Sequence, residues 1–457
     1  MKFDSVSAGT IRSWSGRTYD KAAGAPAMSV HCRYPAAKFS TIVAALLLSC
    51  SSFAQSGVAE SQQHLRAASA AYEAGDFRKY TAELETAHKL NPDSLYTRYN
   101  LACGYALTGQ TEQALAMLTW LTEARVDFNM ADDPDLASLA DNPRFQQLLA
   151  RTAVNTRPIS NSRHTFTVSR LDLLPEGIAW DPASKRFFFG SMRNGEVFAA
   201  ASSGQHTLFA TVAKDGPLSA IGMTVDTARN LLWVIGTRTT LLDGVASDMP
   251  VVSGVFAYAL DSGELQHAYT RDDVGFGFND VTLAPNGDIY LSGDVLGYVP
   301  AAGDGLEILE TSEPVFGSNG IVVTPDGKTL ITSSYPAGVA AIRISDGQTT
   351  FLQAPDNVPL YGIDGMYLYE GDLVAVQHGA RPWRLMRFAL DPSLSRITSA
   401  RTIEFANENV TATTGAIVGN EIHYIGQGTV PESMPAHIAE HLHELIGPTI
   451  VMTAPLD

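Results

Sequence analysis

Four oxygen-bearing residues, Glu176, Asn279, Asn319 and Asp364, stand at the same phase of a loose internal repeat. Each precedes a marker residue, Gly177, Asp280, Gly320 or Gly365, and then an alternating β-branched and apolar run. Ile221-Gly222 and Thr414-Gly415 complete a set of six. Carboxylate and amide oxygens brought together from separate segments are the donors a hard dication such as Ca2+ prefers, with water filling a shell of about six to eight ligands. Two carboxylates, Glu176 and Asp364, would offset its charge. The absence of His and Cys at the six positions counts against zinc or copper. Taken singly, an Asn or Asp beside Gly makes a turn. Four of them at one phase is the pattern expected of a shared site.

The elements that must position these residues are short strands. LPEGIAWD (174–181), IGMTVD (221–226), FNDVTLAPNGDIYLSG (278–293), SNGIVVTPDGKTLITS (318–333), IDGMYLYEGDLVAVQ (363–377) and TTGAIVGNEIHYIGQ (413–427) each open on a polar or Gly step. Each then enters a strand, turns, and enters a second strand. Their period of about 40 to 50 residues, with one longer interval, is that of a four-stranded propeller blade. Six copies predict six blades. Pro285-Asn286-Gly287-Asp288 and Pro325-Asp326-Gly327-Lys328 read as the hairpin turns between paired strands. Thr449 to Thr453 reads as a late strand that helps close the ring, and closure removes exposed sheet edges.

Upstream the period is helical. Leu101, Ala102, Tyr105, Gly109, Ala114, Leu118 and Leu121 have the spacing of a 34-residue tetratricopeptide repeat, and Ala68, Tyr72, Gly75, Phe77, Leu84, Ala87 and Pro92 echo them. This part resembles two such repeats, although Tyr80 stands where the first copy should carry a small residue. Leu136, Leu139, Phe145, Leu148 and Leu149 are expected to cap the stack. The expected organisation is multidomain: residues 1–54 are an N-terminal extension with a signal peptide, and 61–150 a small all-α tetratricopeptide-like domain. Residues 151–169 are a linker, and 170–457 an all-β six-bladed propeller.

PEG around Glu176, FND around Asn279, SNG around Asn319 and IDG around Asp364, in this order, resemble the gluconolactonase/regucalcin family of six-bladed propellers, and strictosidine synthase-like propellers share part of the pattern. The resemblance implies that Glu176, Asn319 and Asp364 hold a divalent metal, that Asn279 lies beside metal and substrate, and that the activity is lactone hydrolysis. It implies Asp364 as the carboxylate that takes a proton from the attacking water and Asn279 as the residue that orients the substrate. Some members carry an Arg two residues before the Asn of FND, where it contacts a sugar. Gly277 stands there, so sugar-lactone specificity does not carry over. The alternative is a non-catalytic, calcium-stabilised propeller serving as a binding platform, with the helical repeats docking a partner protein.

A net charge of −17 leaves no basic footprint for nucleic acid or an anionic membrane surface. Arg33 and Lys38, the apolar run Thr41 to Cys50, and then Ser52 and Ala54 follow the order of a secretory signal peptide; Met28 gives it a better-proportioned start. The run is too short to span a bilayer. Export to a periplasm or beyond is expected, with Cys50 the residue of a possible lipoprotein box and Cys103 alone surviving ordinary cleavage. His437-Ile438-Ala439-Glu440-His441 spells H-x-x-E-H, the arrangement of an inverted zinc peptidase. A solvated helix in a late-blade loop is the expected reading of it. Asn409-Val410-Thr411 is a glycosylation triplet. His378 and Arg381, which follow the second strand of the Asp364 blade, are candidates to line the pocket but are expected at the surface.

Overall fold

A computed structural model describes residues 54–170, 173–239, 241–242, 249–407, 412–427 and 447–457. The signal segment up to residue 53, Cys50 included, the Asn409 triplet and the His437–His441 motif lie outside the described residues.

The N-terminal part is helical: α1 (Ala54–Glu73), α2 (Phe77–Leu90), α3 (Leu95–Leu107), α4 (Thr111–Glu123), a 3-10 turn (Pro134–Leu139) and α5 (Pro143–Asn155). Most of the starts are written in the sequence. Asp76 accepts from the Lys79 N–H, Ser94 from Thr97, and Asn142, just before Pro143 at the first helical turn, from Arg144 and Phe145. Ala68, Leu84, Leu101, Ala114, Leu118 and Leu121 fill the helical core. Residues after α4 fold back along α3. There Tyr99 donates to Asp133 at 2.6 Å, Tyr72 to Asp135 at 3.0 Å, and Ser138 to the Ala106 carbonyl at 3.0 Å. Among the described residues no helix is long and apolar enough to cross a membrane.

The rest is a six-bladed β-propeller, as the repeat period predicts. Six four-stranded antiparallel sheets follow one another, with innermost strands Pro175–Asp181, Ser219–Asp226, Phe278–Leu283, Ser318–Val323, Ile363–Tyr369 and Gly415–Val418. Five blades are simple meanders. The sixth takes Glu421–Gln427 and Thr449–Pro455 from the C-terminal stretch, and its outermost strand, Arg163–Val168, from before blade one. The stretch read as linker thus holds the strand that closes the ring. Its partner lies almost the whole propeller away in sequence, so local periodicity carried no sign of it.

Strands such as Leu231–Thr237 are buried on both faces because each blade packs between two others. Phe188 and Val197 of blade one meet Leu232, Val234 and Phe256 of blade two. Phe166, Val168, Ile425 and Val451 meet Ile178, Phe187 and Phe189 where blade six returns to blade one.

The helical part is fastened to one end of blades four and five. Arg384, 3% exposed, donates to the carbonyls of Ala124 and Arg125 at 3.0 and 2.8 Å, beyond the C-terminus of α4, where a cation is favoured. Both guanidinium groups, Arg125 and Arg384, lie over the Phe405 ring at 4.0 and 5.0 Å. Asn91 donates to the Pro336 carbonyl at 2.8 Å, and the Asp127 N–H to that of Arg381 at 2.9 Å. Arg384→Met removes the charge but strands two buried carbonyls, so it should cost about 3 kcal/mol and expose residues 155–163 to protease. A wild-type melt and digestion pattern would show that this contact does not hold the two parts together.

Candidate functional site

Each innermost strand starts at the end of the propeller that carries the helical part, and five of the six start with the same irregularity. The pairing register slips between Pro175 and Ile178, Ala220 and Met223, Phe278 and Val281, Ser318 and Ile321, and Ile363 and Met366. Glu176, Ile221, Asn279, Asn319 and Asp364 therefore each sit inside a β-bulge, the device that turns a side chain out of the strand's alternation. The marker glycines explain how the strands come so close. A Cβ on Gly320 would lie 2.4 Å from the Met366 nitrogen and 2.6 Å from the Asp364 carbonyl oxygen, positions occupied by the backbone of the next blade.

The bulges bring the acidic residues of blades one and five together on the axis. Asp364 is buried, while Glu176, Asn279 and Asn319 are half-buried. The Asn319 amide donates to Asp364. Thr413 donates to Glu176 Oε2 at 3.2 Å, and the Thr414 hydroxyl to the Glu176 carbonyl, tying blade six to blade one. Burial pushes both carboxyls up, and in Glu176 the charge of Asp364 pushes further in the same direction. His378 acts the other way on both. It stands at the site, its Nδ1 3.2 Å from the Ala412 carbonyl oxygen, and is not merely a surface residue. Arg381 belongs to the interface with the helical part, with its Nε 3.4 Å from the Tyr96 hydroxyl.

Asp280 is a site residue that the sequence reading passed over as a repeat marker. Its carboxyl fills the space where Gly222 has no side chain, since a Cβ there would be 2.4 Å from Asp280 Oδ1. Burial raises it to about 7, partly offset by the Val281 N–H it accepts at 2.8 Å. The available signal was substitution: it is the one carboxylate among six marker positions that otherwise hold Gly. Asp280 also lines a cavity of about 290 Å³, together with Met223, Val281, Ile321, Met366 and Tyr367 among others. The Tyr367 hydroxyl accepts the Gly415 N–H at 2.5 Å.

The donor set fits a hard dication. Glu176 and Asp364 offer carboxylate oxygens, and a half-turn of the Asn319 amide would present its carbonyl oxygen in place of the N–H now given to Asp364. Two neighbouring carboxyls whose ionised forms are disfavoured are the arrangement a cation relieves. A second cluster, Cys103, Asp133 and Asp135, lies in the helical part with ligand atoms within 4.8 Å of one another. Its carboxylates accept from Tyr99 and Tyr72, and burial holds the Cys103 thiol well above its ordinary range, so it reads as a structural knot.

The propeller thus presents the buried Asp364 carboxyl and the half-buried Glu176 carboxyl, with half-buried amides, at the mouth of its axis. Residues 174–400 match the family model described as the SMP-30/Gluconolactonase/LRE-like region. No curated protein matches the chain. Solved structures of similar fold include a putative oxidoreductase (glucose dehydrogenase) of Thermus thermophilus, at 12% identity and TM-score 0.44 over 64% of this chain and 99% of that one. A gluconolactonase of Xanthomonas campestris gives 15% and 0.42 over 64% and 89%. Regucalcin of Agrobacterium tumefaciens, described as a calcium-binding protein, gives 15% and 0.41 over 64% and 95%.

Proposed function

We propose that the chain is an exported, metal-dependent hydrolase of a lactone or related ester. The family match supports a lactonase or hydrolase type of function. The observation that carries the metal-dependent reading is the convergence of Glu176, Asn319 and Asp364 in aligned bulges, with the buried Asp364 and the half-buried Glu176 close enough for their carboxyls to act on each other. Those three residues would hold Ca2+ or a similar dication, which when bound supplies a Lewis acid for the ester carbonyl. Asp364, a buried carboxylate beside Asn319, would take the proton from the attacking water. Asn279, in the bulge of blade three, orients the substrate, and the Thr413 hydroxyl holds Glu176 in place. Export rests on the signal-like segment Thr41 to Ala54.

The platform reading gains no such observation. Tyr72, Tyr99 and Cys103, side by side on α1 and α3, are already engaged by the chain's own Asp133 and Asp135. The test is hydrolysis of a lactone panel before and after chelation. Turnover that falls at least a hundredfold with chelator and returns with calcium is the expected result, about 2.7 kcal/mol or more of barrier. No metal-dependent turnover on any lactone would remove the hydrolase reading.

A further inference from the structure

Three of the bulges are preceded by the same four-residue pattern, aromatic-Gly-x-ring residue: Phe276-Gly277-Phe278-Asn279, Phe316-Gly317-Ser318-Asn319 and Tyr361-Gly362-Ile363-Asp364. In all three the glycine is left-handed, with φ of 94°, 54° and 69°. The turn is therefore the same, and it sets an aromatic residue at the equivalent place on the mouth of three adjacent blades. The backbone is fixed at each. The Phe276 N–H donates to Asp294 at 2.6 Å, the Phe316 carbonyl accepts from Ser334 at 2.8 Å, and the Tyr361 carbonyl from Gln377 at 3.1 Å.

The three rings meet different fates. Tyr361 is 8% exposed, covered by the helical part with Tyr96 at a centroid distance of 6.0 Å. Phe276 and Phe316 are 55% and 36% exposed, and they are the two aromatic residues among the exposed large hydrophobics of the described chain. Single apolar residues scattered over a surface need no explanation. Two phenylalanines at equivalent repeat positions, each three residues before an oxygen-bearing ring residue, are not scatter. Gly277 adds to the shape of this arc: a Cβ there would lie 2.7 Å from the Thr237 methyl and 2.8 Å from Ser253, so no side chain fits between Phe276 and Asn279 at that point.

We propose that Phe276 and Phe316 form an apolar rim that receives an alkyl chain or aryl ring of the substrate, so that the site takes lactones or esters with a hydrophobic substituent in preference to polyhydroxylated ones. This rests on the lactone or ester reading and deepens it. Rings held on a prefixed turn offer contact area with little ordering cost. Tyr361 is covered, whereas Phe276 and Phe316 are the exposed members of the arc.

The test uses the full chain and two ketones that cannot be hydrolysed, cyclopentanone and 2-heptylcyclopentanone, with calorimetric affinities, alongside kcat/KM for γ-butyrolactone and γ-undecalactone. The wild type should bind the heptyl ketone about ten- to a hundredfold more tightly than the parent, a fraction of what full burial of the alkyl chain would give. In the double variant Phe276→Ala/Phe316→Ala the ratio should fall toward one, and in Phe276→Leu/Phe316→Leu most of it should remain. A wild-type ratio near one, or a ratio that survives the double alanine variant, overturns the rim whatever the turnover. A rim-dependent ratio with no lactone hydrolysed would uphold the rim and remove the hydrolase reading. Hydrolysis with no chain preference would do the reverse.

Discussion

Asp364→Asn should lose about 10²- to 10⁴-fold in turnover, or roughly 3 to 5 kcal/mol of transition-state stabilisation. Added calcium should recover none of it. Asn has nearly the same size and keeps an oxygen for a cation, so the fold and much of the metal affinity should persist. What goes is the proton acceptor. The side chain is buried in a bulge beside Asn319, leaving little room for water to replace it. Glu176→Gln should behave differently. If Glu176 serves only as a ligand, the variant weakens metal affinity, and excess calcium restores part of the rate. Rate profiles against calcium concentration for the two variants separate the roles. Wild-type turnover in Asp364→Asn would remove the residue from the mechanism, leaving a turn former that Asn replaces well.

The second large effect concerns stability and pH. Burial raises Glu176 to about 8, Asp280 to about 7 and Asp364 to about 6. A carboxyl whose folded pKa lies above its unfolded value contributes stability that is fully present below the unfolded pKa and is lost as pH rises through the folded one. Chelated protein should therefore be most stable at or below about pH 4 as far as these groups are concerned, and lose stability up to about pH 8. Calcium acts in the opposite direction, because it needs the ionised oxygens. At a hundredfold excess over Kd it adds about 2.7 kcal/mol, or roughly 5 °C in Tm for a domain of this size. That increment should be present at pH 8 and nearly absent at pH 5. A calcium effect equal at both values, or none, would mean that these carboxyls do not share an ion.

Much of this was legible in the sequence because propeller repeats are local. The alternation, the hairpin turns and the polar step before each innermost strand recur within each blade, so six blades and the shared phase of Glu176, Asn279, Asn319 and Asp364 could be read directly. Contacts between distant segments were not legible. Arg163–Val168 becomes a strand only by pairing with Thr449–Pro455, and Arg384 finds its acceptors at Ala124 and Arg125. Neither partner leaves a mark on the local pattern. The bulges lay between these extremes. A marker glycine hinted at close approach, but the register slip that turns each ring residue out of alternation exists only in the pairing with the second strand. Asp280 was hidden by its position, since it stands as a repeat marker where its counterparts are glycine.

A single cation shared by axial oxygens from separate blades is what separates the metal-dependent reading from a plain propeller core. Isothermal titration of calcium into chelator-treated protein at pH 8 tests it most directly. One ion per chain in the wild type, with affinity lowered at least tenfold in Glu176→Gln, is the expected result. No heat of binding in the wild type, or the same affinity in both proteins, would contradict it.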